Sequence, residues 1–135
     1  MYKVTKIIEF CYGHRLLNHK GKCRYLHGHN ALLEVDIETD VLDKEGMVMD
    51  FTDIREKVKH WVDENLDHKM LLSKKDPAIE MLDGMKEPHY VMEENPTAEN
   101  IAKVIFQAMV AMGVTPAEIR LWETPTSCAT YRSKR

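Results

Sequence analysis

From His27 to Asp40 the chain reads as one strand. Leu33, Val35 and Ile37 alternate with Glu34, Asp36 and Glu38, the period-two pattern of a sheet with one face covered and one face wet. This stretch constrains the fold most, because it also decides which way the chemistry faces. By the same alternation His27, His29 and Ala31 share the covered face with Leu33. A second alternating run, Tyr2 to Phe10, points on toward His14. Three imidazoles gathered there make a three-nitrogen claw. Zinc accepts such a claw, and a catalytic zinc keeps its fourth position open for water or substrate. Gly28, between two of the histidines, allows a tight backbone. Cys23 lies four residues before His27 and beside Lys22 and Arg24, where a thiolate is favoured. His19 falls in the polar run Asn18-His19-Lys20-Gly21-Lys22, which reads as a loop, and is left out of the claw. Cys11, Cys23 and Cys128 never stand at C-x2-C spacing, so a structural zinc site of that type is excluded.

The rest of the chain supplies the cover. Thr52 reads as a helix cap with Asp53 in the first turn. Ile54, Val58, Trp61, Val62 and Leu66 then recur at helical spacing. Ser73 to Asn95 carries two prolines, one glycine and many charges and reads as a long loop, with room for a short helix around 78–85. Thr97 caps a second helix with the apolar stripe Ile101, Val104, Ile105, Ala108, Met109 and Met112, and Gly113 stops it. Ile119 to Glu123 reads as a strand ended by Pro125, and 128–131 as a last short strand. The order strand, strand, helix, helix, strand, strand predicts an α+β fold. Its sheet would be antiparallel and four-stranded, with both helices on one face. Such a sheet has two open edges, which pairing with further subunits would close.

At 135 residues the chain is expected to form a single domain over 1–135. A net charge of -3 leaves no electrostatic footprint for nucleic acid. No apolar run approaches a membrane span or the core of a signal peptide. An odd number of cysteines argues against a disulfide framework and for a reducing compartment, the cytoplasm.

Two further candidates concern protons. Asp67 and His68 are adjacent, and a histidine oriented by a carboxylate is a proton-transfer unit; the plainer role is a helix-end pair. Glu123 sits at a predicted strand end on the apolar face. A carboxylate there is either at the solvated rim or buried for a purpose, and only a ligand with paired N–H donors would make that burial favourable. Glu99 suits the first turn of its helix.

These pieces resemble a known family. Phe10-x-x-x-His14, Lys22-Cys23-x-x-Leu26-His27-Gly28-His29-Asn30, Gly46-Met47-Val48-x-Asp50-Phe51, Leu66-Asp67-His68-Lys69, Pro96-Thr97-Ala98-Glu99-Asn100 and Glu123-Thr124 stand in the order found in the 6-pyruvoyltetrahydropterin synthases. Within that family they are most similar to the bacterial 6-carboxytetrahydropterin synthases of queuosine (7-deazaguanine) synthesis. The resemblance implies a tunnelling fold, a four-stranded antiparallel sheet with two helices that closes into a barrel by trimer or hexamer assembly. It implies zinc on His14, His27 and His29, and Cys23 as the proton-abstracting residue helped by Asp67 and His68. It gives Glu123 to the pterin ring, with Thr97 and Glu99 lining the pocket between subunits. The implied substrate is 7,8-dihydroneopterin triphosphate, the implied lyase products 6-carboxytetrahydropterin, triphosphate and acetaldehyde. Two rivals keep the same scaffold: a synthase that stops at triphosphate elimination, and a non-catalytic zinc- or pterin-binding relative. The chain departs from the family's usual pattern at Ala31, at Cys11-Tyr12-Gly13, and at Ser73 with the long segment that follows it.

Overall fold

The computed structural model describes residues 1–134. β1 (Tyr2–His14) and β2 (His27–Thr39) form a long antiparallel ladder, paired residue for residue from Tyr2 with Thr39 to His14 with His27. Both strands bury the face that the alternation predicts. Ile8, Phe10, Tyr12 and His14 are buried on β1; Ala31, Leu33, Val35 and Ile37 are buried on β2. The other elements are α1 (Phe51–Asn65), β3 (Lys69–Ser73), α2 (Ala78–Gly84), β4 (His89–Met92), α3 (Ala98–Ala111), β5 (Glu118–Thr124) and β6 (Ser127–Arg132). Ile54, Val58 and Val62 of α1, with Leu66 just beyond it, join Ile101, Ala102, Ile105 and Met109 of α3 in one core with the inward strand residues.

The fold is α+β, and the antiparallel four-stranded unit exists as β1-β2-β5-β6. The sheet is larger than the sequence predicts, however. β3 pairs parallel to β1 and β4 parallel to β3, giving six strands in the order β4-β3-β1-β2-β5-β6. Ser73 to Asn95 is therefore no structureless loop. It holds the short helix α2 and the edge strand β4, whose His89 to Met92 pair with Met70 to Ser73. The free edge of β1 near His14 accepts β3, and β3 in turn accepts β4, a tertiary effect that no local pattern announces. The cap of α1 also differs. Asp50, not Thr52, is the N-cap, and its carboxylate accepts from the Thr52 backbone N–H at 2.8 Å. Thr97 does cap α3, accepting from the Asn100 N–H at 3.1 Å. Gly113 follows α3 with φ +84°, a left-handed turn suited to glycine.

On the outward face of the sheet, register creates an ionic cluster. β2 and β5 place Glu34 opposite Arg120 and Asp36 opposite Glu118. The Arg120 guanidinium donates to Asp36, Glu34 and Glu118. Asp36, only 1% exposed, also accepts from the Thr5 hydroxyl at 2.6 Å. Burial pushes the Asp36 carboxyl up, but the hydrogen bonds from Arg120 and Thr5 and the charges of Arg120 and Lys3 outweigh it and hold it below the usual range. Removing one member of such a buried pair leaves the other charge uncompensated. Arg120→Ala should lower the unfolding free energy by about 3–5 kcal/mol in urea titration. A loss under about 1 kcal/mol, the scale of an exposed ion pair, would show that Thr5 and Lys3 suffice for Asp36.

Candidate active site

The site begins at the closed end of the β1–β2 ladder, where the last pair is His14 with His27. Gly13 pairs with Gly28 there, and a Cβ on Gly28 would stand 3.1 Å from the Tyr12 carbonyl oxygen. Glycine thus keeps the two strands close enough for their side chains to converge. His14, His27 and His29 bring one ring nitrogen each to within 4.8 Å of one another. Two of the rings are fixed in tautomer by the backbone. His14 Nδ1 donates to the Pro96 carbonyl at 2.7 Å, and His27 Nδ1 donates to the Tyr25 carbonyl at 2.7 Å. Each keeps its Nε2 lone pair for a cation, the arrangement of metal-ligating histidines. His14 Nε2 and His29 Nε2 lie 3.1 Å apart. Burial lowers the His14 pKa, helped by its histidine neighbours, despite the Pro96 carbonyl and Glu123. A neutral imidazole is the form that ligates. The donor set therefore fits a zinc ion.

Glu123 completes this end of the sheet. It comes from β5, on the inward face shared with Ile119 and Leu121, at a register shift between Trp122 and Thr124. Its Oε2 lies 3.3 Å from Nε2 of both His14 and His29, and it accepts from the Tyr12 hydroxyl at 2.9 Å. Tyr12 was not among the candidates. The alternation that places Phe10 and His14 inward places Tyr12 inward too, so the signal was present.

The Asp67–His68 pair forms a second cluster, with Cys11. Asp67 Oδ1 accepts from the Cys11 backbone N–H at 3.0 Å, and Oδ2 accepts from His68 Nδ1 at 2.8 Å. The His68 N–H in turn donates to the Cys11 carbonyl. These bonds anchor His68 in a left-handed backbone conformation, φ +58°, with its side chain 79% exposed. The carboxylate holds one ring nitrogen, and the other is free to exchange a proton. Burial raises the Asp67 pKa, but the bonds from Cys11 and His68 and nearby positive charge carry it below the usual range.

Among the described residues these are the two groups of close ligand atoms, and the sequence candidates divide between them. Cys23 belongs to neither. It sits in a 3₁₀ turn, Lys22–Arg24, with its carbonyl accepting from the Leu16 N–H. Thr97 acts as the α3 cap, directly after the Pro96 carbonyl that orients His14, while Glu99 is exposed in the first turn. A cleft of about 670 Å³ has His27, His29, His68 and Met70 in its lining.

Comparison with known proteins gives the family and the fold. The family model described as 6-pyruvoyl tetrahydropterin synthase matches residues 3–134. The chain is 41% identical to the 6-carboxy-5,6,7,8-tetrahydropterin synthase of Rickettsia felis, over 93% of this chain and 96% of that protein. It is 33% identical to the synthase of the same name from Haemophilus influenzae, over 98% of this chain and 99% of that one. The solved 6-pyruvoyl tetrahydropterin synthase of Caenorhabditis elegans superposes with a TM-score of 0.72 at 23% identity, covering 98% of this chain and 96% of that chain. The fold is accordingly the tunnelling fold of those enzymes.

Asp67 ties His68 to β1, so its loss should be felt in both. Asp67→Ala is expected to cost about 1–3 kcal/mol of stability, the penalty of an unpaired backbone donor. Nitrogen-15 NMR of the imidazoles should show His68 redistributing between tautomers in the variant. An unchanged His68 spectrum would mean that the carboxylate does not orient the ring.

Proposed function

This chain belongs to the 6-pyruvoyl tetrahydropterin synthase family, and within it we propose a zinc-dependent 6-carboxy-5,6,7,8-tetrahydropterin synthase. It would convert 7,8-dihydroneopterin triphosphate and one water to 6-carboxytetrahydropterin, triphosphate and acetaldehyde, the water supplying the added carboxyl oxygen. The product would feed 7-deazaguanine (queuosine) synthesis in the cytoplasm. The observation that carries this reading is the convergence of His14, His27 and His29 beside the inward carboxylate of Glu123, in a chain 41% identical to a synthase of that name. His14, His27 and His29 would hold zinc, whose Lewis acidity would make the protons of the substrate side chain easier to remove.

The protein's own groups supply the rest. Among the described residues Glu123 is the one carboxylate in ion-pair distance of the claw, and it suits the paired N–H donors of a pterin ring. The Cys23 thiolate would take a side-chain proton, and Thr97 and Glu99 would border the pocket. His68 would carry protons through its free nitrogen while Asp67 keeps the ring in one orientation. In the assembled protein the thiol and the dyad would come from neighbouring copies. Supporting this, Cys23 stands apart from both clusters, and β4 and β6 end the sheet as unpaired edges.

Mass spectrometry of products from zinc-loaded protein tests the reaction. Carboxytetrahydropterin with acetaldehyde is expected. Pyruvoyltetrahydropterin alone would assign the chain to the elimination-only branch, and no turnover with zinc bound would indicate a binding protein. Cys23→Ala should lose turnover by on the order of 100-fold or more, the scale of positioned acid–base groups, and keep its zinc. Mixing tests the shared site: Cys23→Ala and His68→Ala proteins, each inactive, should regain activity when unfolded and refolded together. No recovery from a mixture shown by mass to contain hybrid oligomers would place both groups in one chain.

A further inference from the structure

Glu123 occupies more than a pterin-anchoring position. Its Oε2 and the Nε2 atoms of His14 and His29 form a triangle with sides of 3.3, 3.3 and 3.1 Å. A tetrahedral zinc with bonds of about 2.0–2.2 Å separates its ligand atoms by roughly 3.2–3.6 Å. Three corners of such a tetrahedron are thus nearly in place, and the ligating nitrogen of His27 lies within 4.8 Å of the other two imidazoles. The carboxylate is held there. Tyr12 donates its hydroxyl to the same Oε2 at 2.9 Å, which leaves that oxygen a second lone pair. The Tyr12 ring is 3% exposed, stacked on Phe10 at 5.6 Å and set edge-on to His14 at 5.1 Å, so its hydroxyl has little freedom.

We propose that in the resting protein Glu123 is the fourth ligand of the metal held by His14, His27 and His29, with Tyr12 as the positioning residue that keeps it there. This rests on the metal-claw reading above and adds a consequence. If the same carboxylate also receives the pterin ring, it must leave the metal when substrate arrives. The open position then appears only with substrate present, and the resting ion is shielded from water and stray ligands. Tyr12 sets how readily the carboxylate leaves.

Cobalt(II) in place of zinc reads the ligand set directly through its visible spectrum, without any turnover. Apo-protein given one equivalent of cobalt should show intense four-coordinate bands. In Glu123→Gln the bands should shift and weaken, with cobalt affinity falling on the order of 10–100-fold. Tyr12→Phe, which keeps the ring and its packing, should move both readouts the same way by a smaller amount. Adding 7,8-dihydroneopterin should perturb the wild-type spectrum toward that of Glu123→Gln. Identical spectra and affinities in all three proteins would overturn the proposal while leaving the claw intact, provided His27→Ala abolishes binding. Wild-type protein that binds no cobalt would remove both the claw and the fourth ligand. Matching circular dichroism of the three proteins guards against misfolding, and Tyr12→Phe carries the test should Glu123→Gln fail to fold.

Discussion

Everything at this site depends on one register. β1 and β2 pair so that His14 stands opposite His27, with Gly13 opposite Gly28 and Tyr12 opposite His29. Because side chains alternate along a strand, a slip of one residue would turn the histidines to the other face. The buried row from Ile8 to His14, set against Ala31 to Ile37, makes such a slip costly. The same apolar burial that forms the core therefore fixes the geometry of the claw. Site and core are one face of one sheet, and stability and chemistry share their residues.

The two faces are electrostatically distinct. Inside, imidazoles, one phenol and one carboxylate meet at the edge of the apolar core. Outside, Arg120 gathers Glu34, Asp36 and Glu118 across β2 and β5. Trp122 adds its indole N–H to Glu34 at 3.1 Å. This outer cluster pins the β2–β5 pairing, and β5 carries Glu123 inward by the next alternation. The ionic network on one face thus positions the carboxylate on the other.

Much of this was legible in the sequence. The alternation from His27 to Ile37 orients two of the candidate ligands, His27 and His29, and the run from Tyr2 orients the third, His14. Thr97 as a cap and Gly113 as a stop follow from local chemistry, and the structure agrees with both. What escaped was set by distant partners. Lys69 to Ser73 and His89 to Met92 are short and do not alternate; the first becomes a strand on the edge of β1, and the second on the edge of the first. Asp50 outcompetes Thr52 as a cap by where the helix happens to start. The neighbourhood of Cys11, Asp67 and His68 needs the chain to return from α1 to β1, which no spacing encodes. Tyr12 was visible by face but not by role, since only the position of β5 shows what its hydroxyl meets.

The measurement that bears most directly on the account is a crystal structure of zinc-loaded protein with anomalous data at the zinc edge. The account predicts one strong peak per chain, about 2.0–2.1 Å from Nε2 of His14, His27 and His29, with Nδ1 of His14 and His27 still bonded to the Pro96 and Tyr25 carbonyls. A peak at Cys11, Asp67 and His68 instead, or ligation through Nδ1, would contradict it.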